Sequence, residues 1–353
     1  MKKMILGAII LLIIGIIGTT ASLYANKDSL FHPKEWSEKK SISGKNIKEI
    51  QIDSGSVDVL LEPSNSDDVQ VDLLGKETIR KKGQYKLKVD NDGDRINIKV
   101  KEKIRVGVTF YSSIKLYVKI PEKMYQSLDL KSSSGELNVK DFSAENATFK
   151  ATSGDVNVKN GKVNNKLVIE STSGTIEAAN NQAEDLFLKA TSGDITNDDV
   201  KVANQLSVQV ASGEINVNNN EAKKVKLKST SGDINVDQLL AKESEIKATS
   251  GSIVVDDISG TIIGNATSGD IEIGPNKQVG HMNLESTSGT VEVRTKQQTY
   301  PFAIDFNGGS GSGKIQVSGA TYTEKNEHEI KGKIGDGSIQ LKVKTTSGDF
   351  VLK

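Results

Sequence analysis

The sequence is dominated by a short unit that recurs at nearly constant spacing. A Ser-Gly pair is followed, after one residue, by an apolar-x-apolar triplet, and the pattern returns every 18 to 20 residues. Its nine glycines are Gly135, Gly154, Gly174, Gly193, Gly213, Gly232, Gly251, Gly269 and Gly289. Self-similarity at a fixed period is the signature of a repeat architecture. A unit this short cannot bury its own apolar face, so it must stack on copies of itself.

Apolar residues alternate with polar ones on both sides of each glycine. Around Gly174, for example, Leu167 and Ile169 precede the turn, and Ile176 and Ala178 follow it. Period two on each side indicates two short strands per unit, each with one buried face. We therefore predict an all-β fold, a parallel β-solenoid (β-helix) of about 19-residue repeats. An antiparallel meander of hairpins is the alternative, but it would show two equally strong turn signals per unit, and here the second connection looks looser.

The residue three positions before the glycine is nearly always small, as at Ser132, Ala151 and Ser171. A corner that closes toward an interior has little room at this position. We expect the glycine itself to supply a positive φ at the bend, which a β-branched residue would resist.

Pattern and composition divide the chain into five parts. We predict a transmembrane anchor or signal peptide at 1–25, a stalk at 26–44, an N-terminal β module or cap at 45–122, solenoid repeats at 123–295, and irregular C-terminal β repeats or a cap at 296–353. In the N-terminal β module, two alternating runs flank the turn signal Asn91-Asp92-Gly93-Asp94, which predicts a hairpin. Such a module would cover the strand edges that a solenoid end exposes.

The first residues have the composition of a membrane segment. Residues 4–25 contain no charged side chain, and Lys2 and Lys3 precede them. About 20 apolar residues can cross a bilayer as a helix, and flanking lysines tend to stay in the cytoplasm. We predict a single-pass anchor in the cell membrane through residues 4–25, with the C-terminal domain extracellular. A cleaved signal peptide is the alternative, because Thr19, Thr20 and Ala21 are small.

Overall charge and composition exclude several classes of partner. Forty-six basic side chains balance forty-six acidic ones, so there is no basic excess to neutralise nucleic acid. There is no cysteine, which removes disulfides, thiolate nucleophiles and cysteine metal sites together. Of the histidines, His32, His281 and His328, none has a neighbour at metal-ligand or catalytic spacing. We predict no cofactor and no catalytic residue.

Two charged columns should flank the turn if the units stack in register. An acidic side chain follows the glycine at Glu136, Asp155, Asp194, Glu214, Asp233, Asp270 and Asp349. A lysine precedes it by four residues at Lys131, Lys150, Lys189, Lys228 and Lys247. The simplest interpretation is a solvated turn; Asp155, Asp194 and Asp233 are weak calcium candidates, since calcium needs six or more oxygens. A catalytic carboxylate pair would require one unit to differ from its neighbours.

Two further features allow a functional and a structural interpretation. The row Asn138, Asn157, Asn216 and Asn235 suits either sugar recognition or a soluble β surface that resists lateral aggregation. The loop at residues 308–314 imitates a phosphate-binding loop, but Ile315 stands where a hydroxyl should reach magnesium, and a strand follows instead of a helix. We therefore expect no nucleotide there.

Several motifs carry a family resemblance. They are the repeated Thr-Ser-Gly-Asp-Ile-x-Val units, the end of a strand at Ile120-Pro121, and the Gly-Asp-Gly-Ser-Ile and Thr-Thr-Ser-Gly-Asp motifs near the C-terminus. From about residue 45 to 353 the chain resembles the putative-adhesin β-repeat family that includes LiaG-like proteins of Gram-positive bacteria. This resemblance implies an extracytoplasmic β-repeat domain, often membrane-anchored, with a link to adhesion or envelope stress. It implies no catalytic residues.

The sequence thus predicts a non-enzymatic, membrane-anchored binding or spacer module whose partner is a cell-wall polymer or an envelope protein. One alternative is a regulatory accessory protein of the envelope-stress response. The other is a carbohydrate-active β-helix enzyme.

Overall fold

The computed structural model describes residues 2–25, 33–77, 84–103, 112–296 and 298–353. In these ranges the elements are α1 Lys2–Ala25, β1 Lys34–Ser43, β2 Glu49–Asp53, β3 Asp58–Ser64, β4 Asp68–Glu77, β5 Tyr85–Asp92, β6 Arg95–Glu102, β7 Ser112–Pro121, β8 Met124–Ser132, β9 Leu137–Lys140, β10 Ser143–Ala151, β11 Val156–Lys159, β12 Lys162–Ser171, β13 Ile176–Ala179, β14 Gln182–Ser192, β15 Ile195–Asp198, β16 Lys201–Ser212, β17 Ile215–Ser231, β18 Ile234–Ser250, β19 Ile253–Ser268, β20 Ile271–Ser286, β21 Val291–Val293, β22 Phe302–Gly308, β23 Gly313–Ile315, β24 Ala320–Lys325, β25 Glu329–Ile334, β26 Ile339–Thr345 and β27 Phe350–Leu352.

Helix α1 coincides with the apolar N-terminal segment. Across the described residues, however, we find no helix whose length and apolar character together suffice to cross a bilayer. The structure therefore does not support the predicted transmembrane helix over residues 4–25.

The repeat region is a parallel β-solenoid of stacked coils, as predicted, and not a meander of hairpins. Each coil pairs in parallel with the coils before and after it, so that Ile176 pairs with Ile195, and Ile195 with Ile215. In the first coils a long strand precedes the corner and a short strand follows it. From β17 to β20 the two strands of a coil merge into single bent strands of 16 or 17 residues.

The core is built from columns of apolar side chains that stack from coil to coil. Leu167, Leu186, Leu206 and Val225 are register partners in consecutive coils, and each is at most 1% exposed. Fully burying one such side chain stabilises a fold by about 1.5 to 3 kcal/mol. Because each column is buried by the neighbouring coils, the stack and not the single coil holds the solenoid together.

A second corner lies six residues after seven of the nine repeat glycines, and it is more regular than we expected. Seven residues at this position have a left-handed backbone, with φ between 51° and 58°: Asp141, Asn160, Asn180, Asp199, Asn219, Gln238 and Asp257. Asn and Asp tolerate this conformation better than other residues with a Cβ. The connection that we interpreted as loose is therefore a turn of fixed geometry.

The N-terminal end of the solenoid is closed by antiparallel strands. Strand β2 lies between β6 and β8, and β3 lies between β7 and β9, so β6 and β7 form the outermost coil. Strand β5 covers β6 in the predicted hairpin, and β4 and then β1 extend the sheet beyond β7. Residues 34–43, which we expected in a stalk, form β1 because Trp36 and Ile42 pack against the core.

The C-terminal end is closed in a similar way. Strand β26 lies between β20 and β22, and β27 lies between β21 and β23. Residues 339–352 are therefore the penultimate coil, and residues 302–315, which come earlier in the chain, are the last. Strand β25 pairs with β22 in antiparallel fashion, and β24 pairs with β25, so a hairpin covers part of the end.

Candidate functional site

The first corner of every repeat carries the recurring glycines, which stack into a glycine column. A Cβ atom built on any of the nine would lie closer than 3.0 Å to a carbonyl oxygen of the preceding coil, as Gly174 does toward Gly154. Gly348 and Gly311 continue the column through the last two coils. A positive φ, which we had expected as the reason for glycine, occurs at four of the nine: Gly193, Gly213, Gly232 and Gly251. The reason common to all nine is the close approach of one coil to the next.

The acid column follows the glycines and joins neighbouring coils. Asp155 Oδ1 accepts a hydrogen bond of 2.8 Å from the backbone N–H of Thr175, one coil further along. Equivalent bonds from the next coil are accepted by Asp58, Asp194, Asp233, Asp270 and Asp349. The bond from the Ser312 backbone N–H holds the pKa of the Asp349 carboxyl below its usual value. These carboxylates act as ties between successive coils.

The weak calcium candidates Asp155, Asp194 and Asp233 belong to this set of ties. One oxygen of each is already bonded to a backbone N–H of the next coil. Within the described ranges, no group of three or more His, Cys, Asp or Glu side chains is placed to hold a metal ion. Calcium takes six to eight oxygen ligands. The structure therefore gives these three residues a structural role and adds nothing to the calcium interpretation.

The lysine column is exposed to solvent and partly ion-paired. Lys150 Nζ lies 2.9 Å from Glu170, and Lys131 Nζ lies 3.3 Å from Asp129. Lys189 forms no ion pair with any described residue. Pairs this exposed contribute about 0 to 1 kcal/mol each. The column is thus available to an external partner at little cost in stability.

Two hydroxyl columns lie beside the glycine column, and the sequence analysis did not single them out. Two positions before the glycine stand Ser133, Thr152, Thr172, Thr191, Ala211, Thr230, Thr249, Thr267 and Thr287. One position before it stand Ser134, Ser153, Ser173, Ser192, Ser212, Ser231, Ser250, Ser268 and Ser288. All are exposed, and no side-chain hydroxyl of these columns is hydrogen-bonded to another described group. The signal was the Thr-Ser that precedes almost every repeat glycine.

The asparagine row three positions after the glycine uses its polar atoms within the protein. Asn157 Nδ2 donates to Asn138 Oδ1 at 3.2 Å and to Glu136 at 2.7 Å. Asn235 donates to Asn216 Oδ1 at 3.3 Å. All four asparagines are half-buried. The row is therefore a ladder between coils, which favours the structural interpretation over sugar recognition.

Buried asparagines near the second corner were also missed by the sequence analysis. Asn181 accepts a hydrogen bond from the Gly161 N–H at 2.8 Å and donates to the Val158 carbonyl at 2.9 Å. Asn220 makes the equivalent pair of bonds two repeats later. Asn197 is different, because it is 0% exposed and neither of its side-chain polar atoms has a partner within the described structure.

A groove of about 450 Å³ runs beside the hydroxyl columns over four successive coils. Its lining includes Lys131, Lys150, Lys189, Thr152, Thr172, Thr191 and Glu170. It is the place where the lysine column and the threonine column face a common concave surface. Exposed hydrogen-bond donors and acceptors converge there.

The glycine-rich loop at residues 308–314 lies in the outermost coil and leads into strand β23. The backbone N–H groups of Gly309 and Ser310 donate to the carbonyls of Thr345 and Thr346. These donors are engaged by the neighbouring coil. The loop is a corner of the solenoid, and no helix follows it.

The histidines are dispersed, as the sequence indicated. His281 Nδ1 accepts a hydrogen bond of 2.9 Å from the backbone N–H of Gln340, which joins two coils. His328 Nδ1 lies 2.8 Å from the Gly311 carbonyl oxygen. His32 lies outside the described residues. Neither of the two described histidines belongs to a group of three or more possible metal-ligating side chains among the described residues.

Comparison with known proteins gives a consistent family match. The sequence profile described as Toastrack DUF4097 matches residues 47–220 and 198–353. A search among curated proteins returned no match.

Three solved structures match this chain at low sequence identity and low TM-score. A putative cell adhesion protein from Clostridium sporogenes is 11% identical, with 91% of this chain and 99% of that chain covered and a TM-score of 0.20. A putative adhesin from Bacteroides fragilis is 14% identical, with 91% and 99% covered and a TM-score of 0.34. A putative lipid binding protein from Parabacteroides distasonis is 18% identical, with 73% and 96% covered and a TM-score of 0.33.

Proposed function

The chain belongs to the Toastrack DUF4097 family, and on this basis we propose that it is a non-enzymatic β-solenoid that binds a component of the cell envelope. Its role would be adhesion or the spacing of envelope layers. The motifs described above support the narrower assignment to the LiaG-like group. The binding surface is the first corner, with its hydroxyl columns and lysine column.

One observation supports this surface above all others. The acid column and the asparagine row have their polar atoms bonded to the next coil, whereas the exposed threonine and serine hydroxyls have no such partner. Hydroxyls both donate and accept hydrogen bonds. A strip of them repeats at the coil spacing of about 4.8 Å along the solenoid. Many weak and equivalent bonds to a repetitive partner are what this surface can form.

We extend the proposal to a membrane tether through α1, and its exposed apolar side chains are the ground for this extension. Several large side chains of α1 are more than 45% exposed: Leu11, Leu12, Ile13, Ile14, Ile16 and Ile17. A helix that is apolar all round needs an apolar surrounding. We expect Ile13→Lys together with Ile14→Lys to release the protein from membranes in an alkaline wash, and retention of that variant would contradict the tether.

Retention on purified Gram-positive cell wall tests the binding function. The full chain in detergent is incubated with wall fragments, and the bound fraction is measured after sedimentation. A variant in which Thr172, Thr191, Thr230 and Thr249 are all alanine should lose most of the retained protein. Alanine is compatible with this column, since Ala211 occupies it in one coil.

A matched variant at the second corner provides the control. Gln182, Lys201, Glu221 and Leu240 are exposed register partners in consecutive coils. Their replacement by alanine should leave retention unchanged. If the unmodified chain is not retained on cell wall, the proposed binding function is wrong. A regulatory role exerted through α1 would then be the better proposal.

A further inference from the structure

The groove beside the first corner has a definite composition of hydrogen-bonding groups. Lysine ammonium groups supply donors, the Glu170 carboxylate supplies acceptors, and Thr152, Thr172 and Thr191 supply hydroxyls that are both. The groove crosses four coils, so a ligand lying in it meets a similar set of groups several times. Its shape therefore suits an extended ligand that itself repeats.

The charge of the groove is nearly balanced. Lys150 is paired with Glu170 at 2.9 Å, and Lys131 is paired with Asp129 at 3.3 Å. Asp53 is a second carboxylate in the lining of the groove. Among the lysines of the lining, Lys189 is the one without a described acidic partner. A polyanion would gain little from these lysines and would meet the two lining carboxylates. These carboxylates do not repel an uncharged ligand, so its binding free energy is not reduced by them.

We propose that this groove binds a neutral, linear polysaccharide, whose hydroxyl and amide groups pair with the threonine hydroxyls, Glu170 and Lys189. The inference rests on the proposed function and names the ligand class of the same surface. Sugar hydroxyls match the mixed donors and acceptors of the groove. A chain of pyranose rings repeats its polar groups at intervals comparable with the coil spacing of about 4.8 Å.

The solenoid offers an internal control for this proposal. Thr249 and Thr267 occupy the same column as Thr172 and Thr191 and are equally exposed, but they lie outside the groove. A ligand held by the groove depends on the first pair of hydroxyls. A ligand held by the column as a whole depends on both pairs alike.

Calorimetric titration of the full chain in detergent provides the test. The neutral probe is the β-1,4-linked hexamer of N-acetylglucosamine, and the anionic probe is poly(glycerol phosphate), each at low and high salt. We expect the hexamer to bind with an affinity that does not depend on salt. Thr172→Ala combined with Thr191→Ala should weaken it by about tenfold, since two hydrogen bonds are lost. Thr249→Ala combined with Thr267→Ala should change it by less than about twofold.

The possible outcomes separate this inference from the function on which it rests. Absence of hexamer binding, an equal loss in both double variants, or binding of poly(glycerol phosphate) alone with strong salt dependence would each overturn the neutral-polysaccharide site. If the chain is still retained on cell wall in those cases, the binding function stands with a different ligand. If retention on cell wall fails as well, both are overturned.

Discussion

Polar residues at the first corner differ in whether they form hydrogen bonds within the protein, although they lie within three positions of one another. The aspartate after the glycine bonds to the backbone of the next coil, whereas the threonine two positions before the glycine points into solvent. Stacking in register decides between them, because only groups that face an unpaired donor of the next coil are used internally. The sequence shows both residues equally clearly, but this distinction depends on the geometry of the stack.

Close approach and backbone strain can be separated at two glycines. A Cβ at Gly154 would lie closer than 3.0 Å to Gly135 O, whereas Gly93 has φ +68° and nothing within 4 Å of its Cβ position. We expect Gly154→Ala to lower the free energy of unfolding by about 1 to 3 kcal/mol or more, because a whole coil must move. Gly93→Ala should cost about 1 kcal/mol or less, because the loss of chain entropy offsets part of the strain. Urea unfolding measures both, and a larger cost at Gly93 would refute the close-approach explanation.

Asn197 offers a stabilising substitution. Its amide is fully buried without a partner, and the register partners in the adjacent coils are Ala178 and Val217. Replacing an unsatisfied buried polar side chain by an apolar one of similar size removes a cost of about 1 to 3 kcal/mol. We expect Asn197→Val to raise the melting temperature.

The matched control for this prediction is Asn220→Val. Asn220 is also buried, but both of its polar atoms bond to the backbone, so its replacement leaves those partners unpaired. We expect this variant to melt at a lower temperature than the unmodified protein. If Asn197→Val were destabilising too, a buried water must satisfy the Asn197 amide.

The acid ties predict a pH dependence that Asp349 makes measurable. The Ser312 N–H donates a hydrogen bond to the carboxylate and lowers the pKa of Asp349 in the folded state below its usual value. A lowered carboxyl pKa stabilises the fold at pH above the unfolded pKa, and this stabilisation is lost as pH falls through the folded pKa. Asp349→Ala should therefore lower the melting temperature at neutral pH, and the difference should vanish in strong acid. A difference that stays constant with pH would contradict the tie.

At the scale of elements, the two ends of the solenoid use antiparallel strands to limit exposed edges. Strands β5, β4 and β1 cover one end, and the hairpin β24–β25 covers part of the other. Exposed strand edges invite pairing with other chains, and charged side chains oppose it. Five of the ten residues in β1, an outer strand, are charged. The caps thus keep a long sheet from growing by association.

The C-terminal cap should open without unfolding the rest of the stack. Phe306 of β22 is fully buried, and its ring centroid lies 5.3 Å from that of Phe350 in the adjacent coil. Phe306→Ala removes a contact of the kind that costs about 3 to 5 kcal/mol. We expect faster amide hydrogen exchange in residues 302–315 and 339–352, with unchanged exchange in residues 156–179. Tyr322→Ala, at an exposed position of β24, should leave exchange unchanged, and uniform acceleration along the chain would argue against an independent cap.

The sequence predicted the coils well because each carries its own turn signal and alternation. It also contained the second corner, since Asn or Asp stands six residues after most repeat glycines, as at Asn160 and Asn219. That signal was overlooked because the residues around it vary. The order of coils at the ends could not be predicted, because Gly311 and Gly348 each belong to a Ser-Gly pair and only tertiary packing decides which of them is outermost.

The candidate site was predicted in part. Its lysine column and acid column followed from the repeat, but the groove did not, because concavity depends on how the first four coils are arranged. The threonine hydroxyls were visible in the sequence, yet their availability depends on the absence of a partner in the folded chain. To predict a site in a repeat protein, one must therefore know which polar columns form hydrogen bonds between the coils and which remain exposed.

At the scale of the whole molecule, similar coils in register make stability nearly a sum of contacts between neighbours. Removal of one complete coil, residues 233–251, joins Gly232 to Ser252 and keeps every column aligned. It also removes the buried, unpaired hydroxyl of Ser244. We expect this deletion to fold and to melt within a few degrees of the parent by circular dichroism. Deletion of residues 233–242 alone shortens the spacing from Gly232 to Gly251 from 19 residues to 9, so this coil can no longer reach round to the next corner glycine. We expect it to abolish cooperative melting, and folding of this half-coil deletion would contradict the stacking argument.

The inverted order of coils at the C-terminal end ties the completion of the solenoid to the progress of translation. When a ribosome has made residues 302–315, the place between them and the coil of β20 is still vacant, because its occupant, residues 339–352, has not yet been synthesised. A nascent chain interrupted between these segments keeps two unpaired strand edges that proteases and chaperones can recognise. The fold therefore distinguishes a finished chain from an interrupted one by whether its final gap has been filled.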